Sequence, residues 1–112
     1  MISTLNKRML MPWIHIANSD QLQDGDVIAV SIDKQNVALY QDGDSYFATD
    51  NVCTHQFALL SDGYFEDGCI ECPLHQARFD VRTGKALCAP ATTDLRTFPT
   101  KREGIKIFLH VE

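Results

Sequence analysis

Two short stretches carry the side chains best suited to metal or redox chemistry, Cys53-Thr54-His55 and Cys72-Pro73-Leu74-His75. Thiolate and imidazole together suit zinc or iron. Tetrahedral zinc modules usually take a Cys–Cys knuckle from one stretch and a His–His pair from another. Here each stretch supplies one cysteine and one histidine. That division suits a cluster of two irons and two sulfides, with both cysteines on one iron and both histidines on the other. Zinc held by the same four residues is the competing reading, and it predicts a colourless, zinc-stabilised binding module.

The remaining cysteines and histidines are expected to stand aside. Cys69 and Cys72 form a Cys-x-x-Cys pair, but Pro73 and His75 follow in a loop rather than in the helix a thioredoxin-like site requires. Cys69 is therefore read as a strand residue beside the site, and Cys88 as a small buried side chain. His15 and His110 lie on terminal strand segments without partner cysteines and are read as ordinary surface or half-buried residues.

The elements that must position these loops are almost wholly β. Trp13 to Ala17 alternates, and Asp26 to Ile32 is rich in branched residues that suit strands. A turn is expected at Asp33-Lys34-Gln35-Asn36, then a strand through Val37-Ala38-Leu39-Tyr40. Asp42-Gly43 supplies the positive φ of a hairpin turn, and Ser45 to Asp50 returns. A second hairpin is expected from Leu95 to Lys101 and from Gly104 to Val111, with Pro99 marking an edge position. One helical turn, capped by Ser19, is placed at Ser19–Gln23. Residues 51–93 read as a loop-rich, cluster-binding subdomain. Residues 1–10 read as a flexible extension, and 11–112 as one domain.

The chain has 112 residues, 45% hydrophobic and 22% charged, with a formal charge of −5. One ordinary core is affordable at this size. No Lys/Arg block longer than a pair occurs, which argues against a nucleic-acid surface. No apolar run approaches the ~20 residues that span a bilayer, and Met1 to Met11 lacks a secretory pattern. A cytoplasmic location is therefore expected, where structural disulfides are disfavoured.

Cys53-Thr54-His55, the sixteen-residue gap, and Cys72-Pro73-Leu74-His75-x-x-x-Phe79-Asp80-x-x-Thr83-Gly84 resemble the Rieske proteins. Ala48 to Pro90 is especially similar to the small Rieske ferredoxins of bacterial aromatic-ring dioxygenase systems of the naphthalene dioxygenase type. The resemblance implies an all-β Rieske fold: an antiparallel β-sandwich scaffold with a cluster-binding tip. It implies one Rieske 2Fe-2S cluster, with Cys53 and Cys72 on an inner iron and His55 and His75 on an outer one. Pro90 would lie in a covering loop. Phe57, Leu59, Leu74 and Pro90 would shield the cluster or form a docking rim, and Asp62, Glu66, Asp67 and Glu71 could steer a partner. The implied activity is one-electron transport, without catalysis by the chain itself. The implied partners are an NADH-dependent flavoprotein ferredoxin reductase and a terminal Rieske oxygenase, with the chain a monomer. The alternative is a tightly bound small Rieske subunit, as in nitrite reductase, which should expose a large apolar patch.

Departures from the family pattern carry information. Quinol-oxidising members join their two loops by a disulfide, and the matching positions here are Ala58 and Leu74. Those members also place serine and tyrosine hydroxyls near the cluster sulfurs, where this chain has Ala77 and Phe79. Their absence predicts a potential toward the low end of the Rieske range of about −150 to +300 mV. Gln56 and Ala77 stand where glycines are common, which predicts loops that are strained or differently shaped.

Overall fold

The computed structural model describes residues 13–54, 58–74, 76–89 and 93–110. Among the described residues, eleven strands form three antiparallel sheets. The first sheet has the order β1 (Ile14–Asn18), β11 (Lys106–Leu109), β10 (Thr100–Glu103). The second runs β2 (Val27–Ile32), β3 (Gln35–Asp42), β4 (Ser45–Asp50), β9 (Thr97–Phe98). The third is a meander of three-residue strands, β5 (Tyr64–Glu66), β6 (Cys69–Glu71), β7 (Arg78–Asp80) and β8 (Ala86–Cys88).

The central strand explains how three sheets share so short a chain. Successive side chains of a strand point to opposite faces. Val37 and Leu39 enter a core with Ala17, Leu22, Ile107 and Leu109, whereas Ala38 and Tyr40 enter another with Ile70, Phe79, Cys53 and Cys72. All four β3 residues are fully buried. The run Val-Ala-Leu-Tyr, apolar without alternation, is the sequence mark of a strand covered on both faces. Tyr40 carries the one hydroxyl in that run, and it meets Thr49 Oγ1 at 2.9 Å.

Turn chemistry sets the registers. Ile32 pairs with Gln35, so Asp33 and Lys34 alone make the β2–β3 turn, at φ 46° and 70°. That is tighter than the four-residue turn the sequence predicts. Gly43 takes φ 62° between β3 and β4, as the Asp-Gly pair requires. The expected helical turn is a 3₁₀ turn at Ser19–Gln21, capped by Asn18 rather than Ser19, and a second 3₁₀ turn, at Leu60–Asp62, follows the first loop. The Asn18 N–H donates to Gln21 Oε1 at 2.7 Å.

Two expected elements differ in extent. The strand predicted over 95–101 is divided at Pro99: Thr97 and Phe98 pair with β4, and Thr100 onward pairs with β11. Proline donates no ladder hydrogen bond, so the chain changes sheets there. The region 51–93 is less loop-like than its turn residues imply, because it holds the β5–β8 meander. There Phe65, Ile70, Phe79 and Ala86 face the core. Tyr64, Glu66 and Cys88 are exposed, with Cys69 and Glu71 half-buried.

Candidate metal centre

Both candidate loops are built as hairpin mouths with the same closure. In the first, the Cys53 N–H donates to Ala58 O at 2.9 Å, next to a bridge between Val52 and Leu59. In the second, the Cys72 N–H donates to Ala77 O at 2.7 Å, next to the pair Glu71–Arg78. Each cysteine thus begins its loop at the sheet end, with its backbone donor satisfied and its side chain turned into the core. Cys53 and Cys72 are 4% and 1% exposed, and both belong to the core shared with Tyr40, Ile70 and Phe79.

The two sulfurs interact. Burial pushes the Cys72 thiol up from the ordinary thiol range, and the neighbouring Cys53 pushes in the same direction. A backbone N–H from Leu74 works against both by favouring the thiolate. No Lys or Arg occurs between Lys34 and Arg78 to offset two thiolates. Two adjacent buried thiols disfavour two bare thiolates, and a metal bound there would release their protons. The donor chemistry fits a metal or an iron–sulfur cluster. His55 and His75 lie outside the described residues, as do Gln56, Phe57 and Pro90.

A third segment is fastened beside the loops. The Thr54 hydroxyl donates to Thr93 O at 2.7 Å, Asp94 Oδ1 accepts the Ala86 N–H at 2.9 Å, and the Leu95 N–H donates to Gly84 O at 2.7 Å. Residues 93–95 are therefore tied to the first loop and to β8. Sequence reading missed Thr54 and Asp94 because neither has a distinctive spacing.

Cys69 lies on β6, half-buried on its outer face, as expected. Cys88 is exposed, contrary to the expectation of a buried side chain. The register of β7 and β8 shifts between Arg78 and Phe79, which places Cys88 opposite the exposed Arg78 on the edge strand. His15 and His110 are exposed and half-buried, against Phe108 and Trp13 respectively. The strain expected at Ala77 falls one residue earlier, since Gln76 has φ 61° and Ala77 keeps a negative φ.

The family model for the Rieske [2Fe-2S] domain matches residues 12–99, both loops included. The chain belongs to the Rieske family. A ferredoxin component of naphthalene 1,2-dioxygenase/salicylate 5-hydroxylase systems from Ralstonia sp is 48% identical over 104 residues, 93% of this chain and 100% of that one. The ferredoxin of carbazole 1,9a-dioxygenase from Nocardioides aromaticivorans IC177 superposes with TM-score 0.85 at 36% identity, covering 89% of this chain and 98% of that one. A structure described as a complex of reduced oxygenase and oxidized ferredoxin in carbazole 1,9a-dioxygenase contains a chain matching with TM-score 0.83 at 30% identity, over 89% of this chain and 94% of that one.

In this Rieske domain the two positions expected to bear on potential, Ala77 and Phe79, are apolar and closed. Ala77 and Phe79 are fully buried in the same core as the two cysteines. Ala77 also receives the Cys72 N–H, so its side chain is carried beside the Cys72 end of the loop. A serine hydroxyl at position 77 that favours the reduced state by about 1–3 kcal/mol raises a one-electron potential by roughly 45–130 mV. Ala77→Ser is therefore expected to raise the midpoint by that amount, from a parent value below about +100 mV. Protein-film voltammetry checks both numbers. A parent already well above that value, or no shift in the variant, contradicts the account of Ala77.

Proposed function

We propose that this chain is a one-electron carrier that holds a Rieske 2Fe-2S cluster with Cys53, Cys72, His55 and His75. It accepts electrons from an NADH-dependent flavoprotein reductase and passes them to a terminal ring-hydroxylating oxygenase. The observation that carries this reading is the pair of matched hairpin mouths, which bring two buried thiols together and give each loop one histidine. When bound, the cluster supplies a single-electron acceptor at a potential above that of all-cysteine clusters. Cys53 and Cys72 hold the inner side of the site within the core. The apolar wall of Tyr40, Phe79 and Ile70 excludes water behind them. The chain itself provides no substrate chemistry and works as a monomer in the cytoplasm.

Surface character supports a free carrier over a tightly bound subunit. Among the described residues the exposed large apolar side chains are Tyr64, Leu74, Leu87 and Ile105, on β5, the second loop, β8 and the β10–β11 turn. Transient redox contacts are small and need few anchors. Asp62 is exposed just after the first loop, whereas the exposed Glu66 and Asp67 lie at the β5–β6 turn, at the end of the third sheet away from the second loop. The formal charge of −5 steers association with a basic partner.

The test is a reconstituted assay in which NADH, a flavoprotein reductase and a naphthalene-type oxygenase form product only when this chain is added. Raising the ionic strength from about 0.01 to about 0.1 M shortens the Debye length from roughly 30 to roughly 10 Å. The second-order rate of electron delivery is expected to fall about tenfold over that interval. Product formation that ignores the chain contradicts the carrier role, and a salt-independent rate contradicts the steering.

A further inference from the structure

The two hairpin mouths are not fastened alike. The legs of the second loop are β6 and β7, the inner strands of a four-stranded sheet, and their pairing runs on through Ile70–Phe79 and Cys69–Asp80. The first loop has one isolated bridge, Val52–Leu59, with no strand on its far leg. Something other than sheet pairing must keep that mouth in register.

We infer that Asn51 is a positioning residue for the metal centre, doing for the first loop what β-pairing does for the second. This rests on the Rieske-centre reading above. Asn51 is fully buried, two residues before Cys53. Its Nδ2 donates to Asn36 Oδ1 at 3.0 Å and to Ser61 Oγ at 2.9 Å, and its Oδ1 accepts the Ser61 N–H at 2.7 Å. Its backbone N–H donates to Asn36 O at 2.9 Å, and its carbonyl accepts the Leu60 N–H at 2.7 Å. One residue thereby binds the incoming leg to β3 and to the outgoing leg at Leu60–Ser61. A fully satisfied buried network specifies a single arrangement, whereas removing one member leaves its partners unpaired in the interior. An aspartate can still accept the Ser61 N–H, but it has no N–H for Asn36 Oδ1. An apolar residue would fill the same space and keep only the two backbone hydrogen bonds, without the side-chain ties to Asn36 and Ser61.

The test compares Asn51→Ala, Asn51→Asp and Ser61→Ala with Leu109→Ala, a truncation in the other core. Each reconstituted protein is followed for loss of visible absorbance under an iron chelator, for the EPR line shape of the reduced form, and for midpoint potential. All readings are taken well below the melting temperature. Asn51→Ala is expected to lose iron roughly tenfold faster than the parent and to broaden the EPR signal. Asn51→Asp should fall between the two. Leu109→Ala should lower the melting temperature while leaving signal, potential and iron loss at parental values. Parental values in Asn51→Ala, or equal changes in Leu109→Ala, overturn the inference. If Asn51→Ala does not fold, Ser61→Ala decides on the same readouts, because it leaves the Asn51–Asn36 contacts in place. A parent chain without a Rieske signal overturns the underlying reading instead, which is a different result from a variant that matches its parent.

Discussion

Cys72→Ala is expected to give a folded but colourless protein, with iron and sulfide at background and no electron transfer from the reductase. The side chain is almost wholly enclosed, so no water or exposed residue can replace its sulfur as a ligand. Its backbone hydrogen bond to Ala77 does not involve the side chain and survives the change. Losing a buried sulfur leaves a small cavity in a core that still holds Tyr40, Ile70, Phe79 and Leu60. That costs on the order of 1–2 kcal/mol in packing, well short of unfolding a domain. Loss of the centre removes in addition whatever stability the metal supplies. Cys53→Ala is expected to behave in the same way. Cys69→Ala and Cys88→Ala are the decisive controls, since both residues lie on the outer side of the third sheet. Each should keep full colour and full iron. Iron and sulfide assays with the visible spectrum check all four. A Cys72→Ala protein that retains two irons, or a Cys88→Ala protein that loses them, refutes the ligand assignment.

Gly84→Ala is expected to be strongly damaging although it lies outside the ligands. Gly84 has φ +79°, where a Cβ costs roughly 1–2 kcal/mol. A Cβ built there also collides with the backbone carbonyl of Leu95, far inside the 3.0 Å that real Cβ atoms keep. Backbone cannot swing aside as a side chain can, and overpacking of this kind costs a further 1–3 kcal/mol or so. The sum, about 2–5 kcal/mol, should lower the melting temperature by roughly 8 °C or more. The collision falls on the Leu95 carbonyl, in the residue whose N–H donates to Gly84 O, so residues 93–95 and their tie to Thr54 are displaced first. Faster iron loss should accompany the lower melting temperature in scanning calorimetry. A variant that melts with the parent would show that the Gly84–Leu95 contact gives way without penalty.

The family was legible because metal chemistry constrains residue type and spacing together, and Cys-x-His with Cys-x-x-His is a distinctive pair. Strand β4 was legible to the residue, since Ser45 to Asp50 follows an Asp-Gly turn and carries branched and aromatic side chains. The third sheet was not. Strands of three residues are too short to establish a period of two, and their turns at Asp67-Gly68 and Thr83-Gly84 look like loop punctuation. Pro99 was rightly read as incompatible with a central strand, but the change of sheets there depends on packing that local pattern does not encode. Cys88 was misplaced because a small apolar residue is usually buried, whereas a register shift at an edge strand turns this one outward. Asn51 left no signal, because asparagine before a loop normally marks a solvated turn. Its burial follows from the meeting of β3, the first loop and Ser61, a contact between segments well apart in the chain.

The most direct test of the central claim is the EPR spectrum of the dithionite-reduced chain, with iron and sulfide quantified on the same sample. A rhombic signal with an average g below that of all-cysteine clusters, at two irons and two sulfides per chain, is the predicted result, because mixed histidine and cysteine ligation makes the two irons unequal. A colourless, EPR-silent protein containing one zinc would contradict it, and the four residues would then be a structural clip.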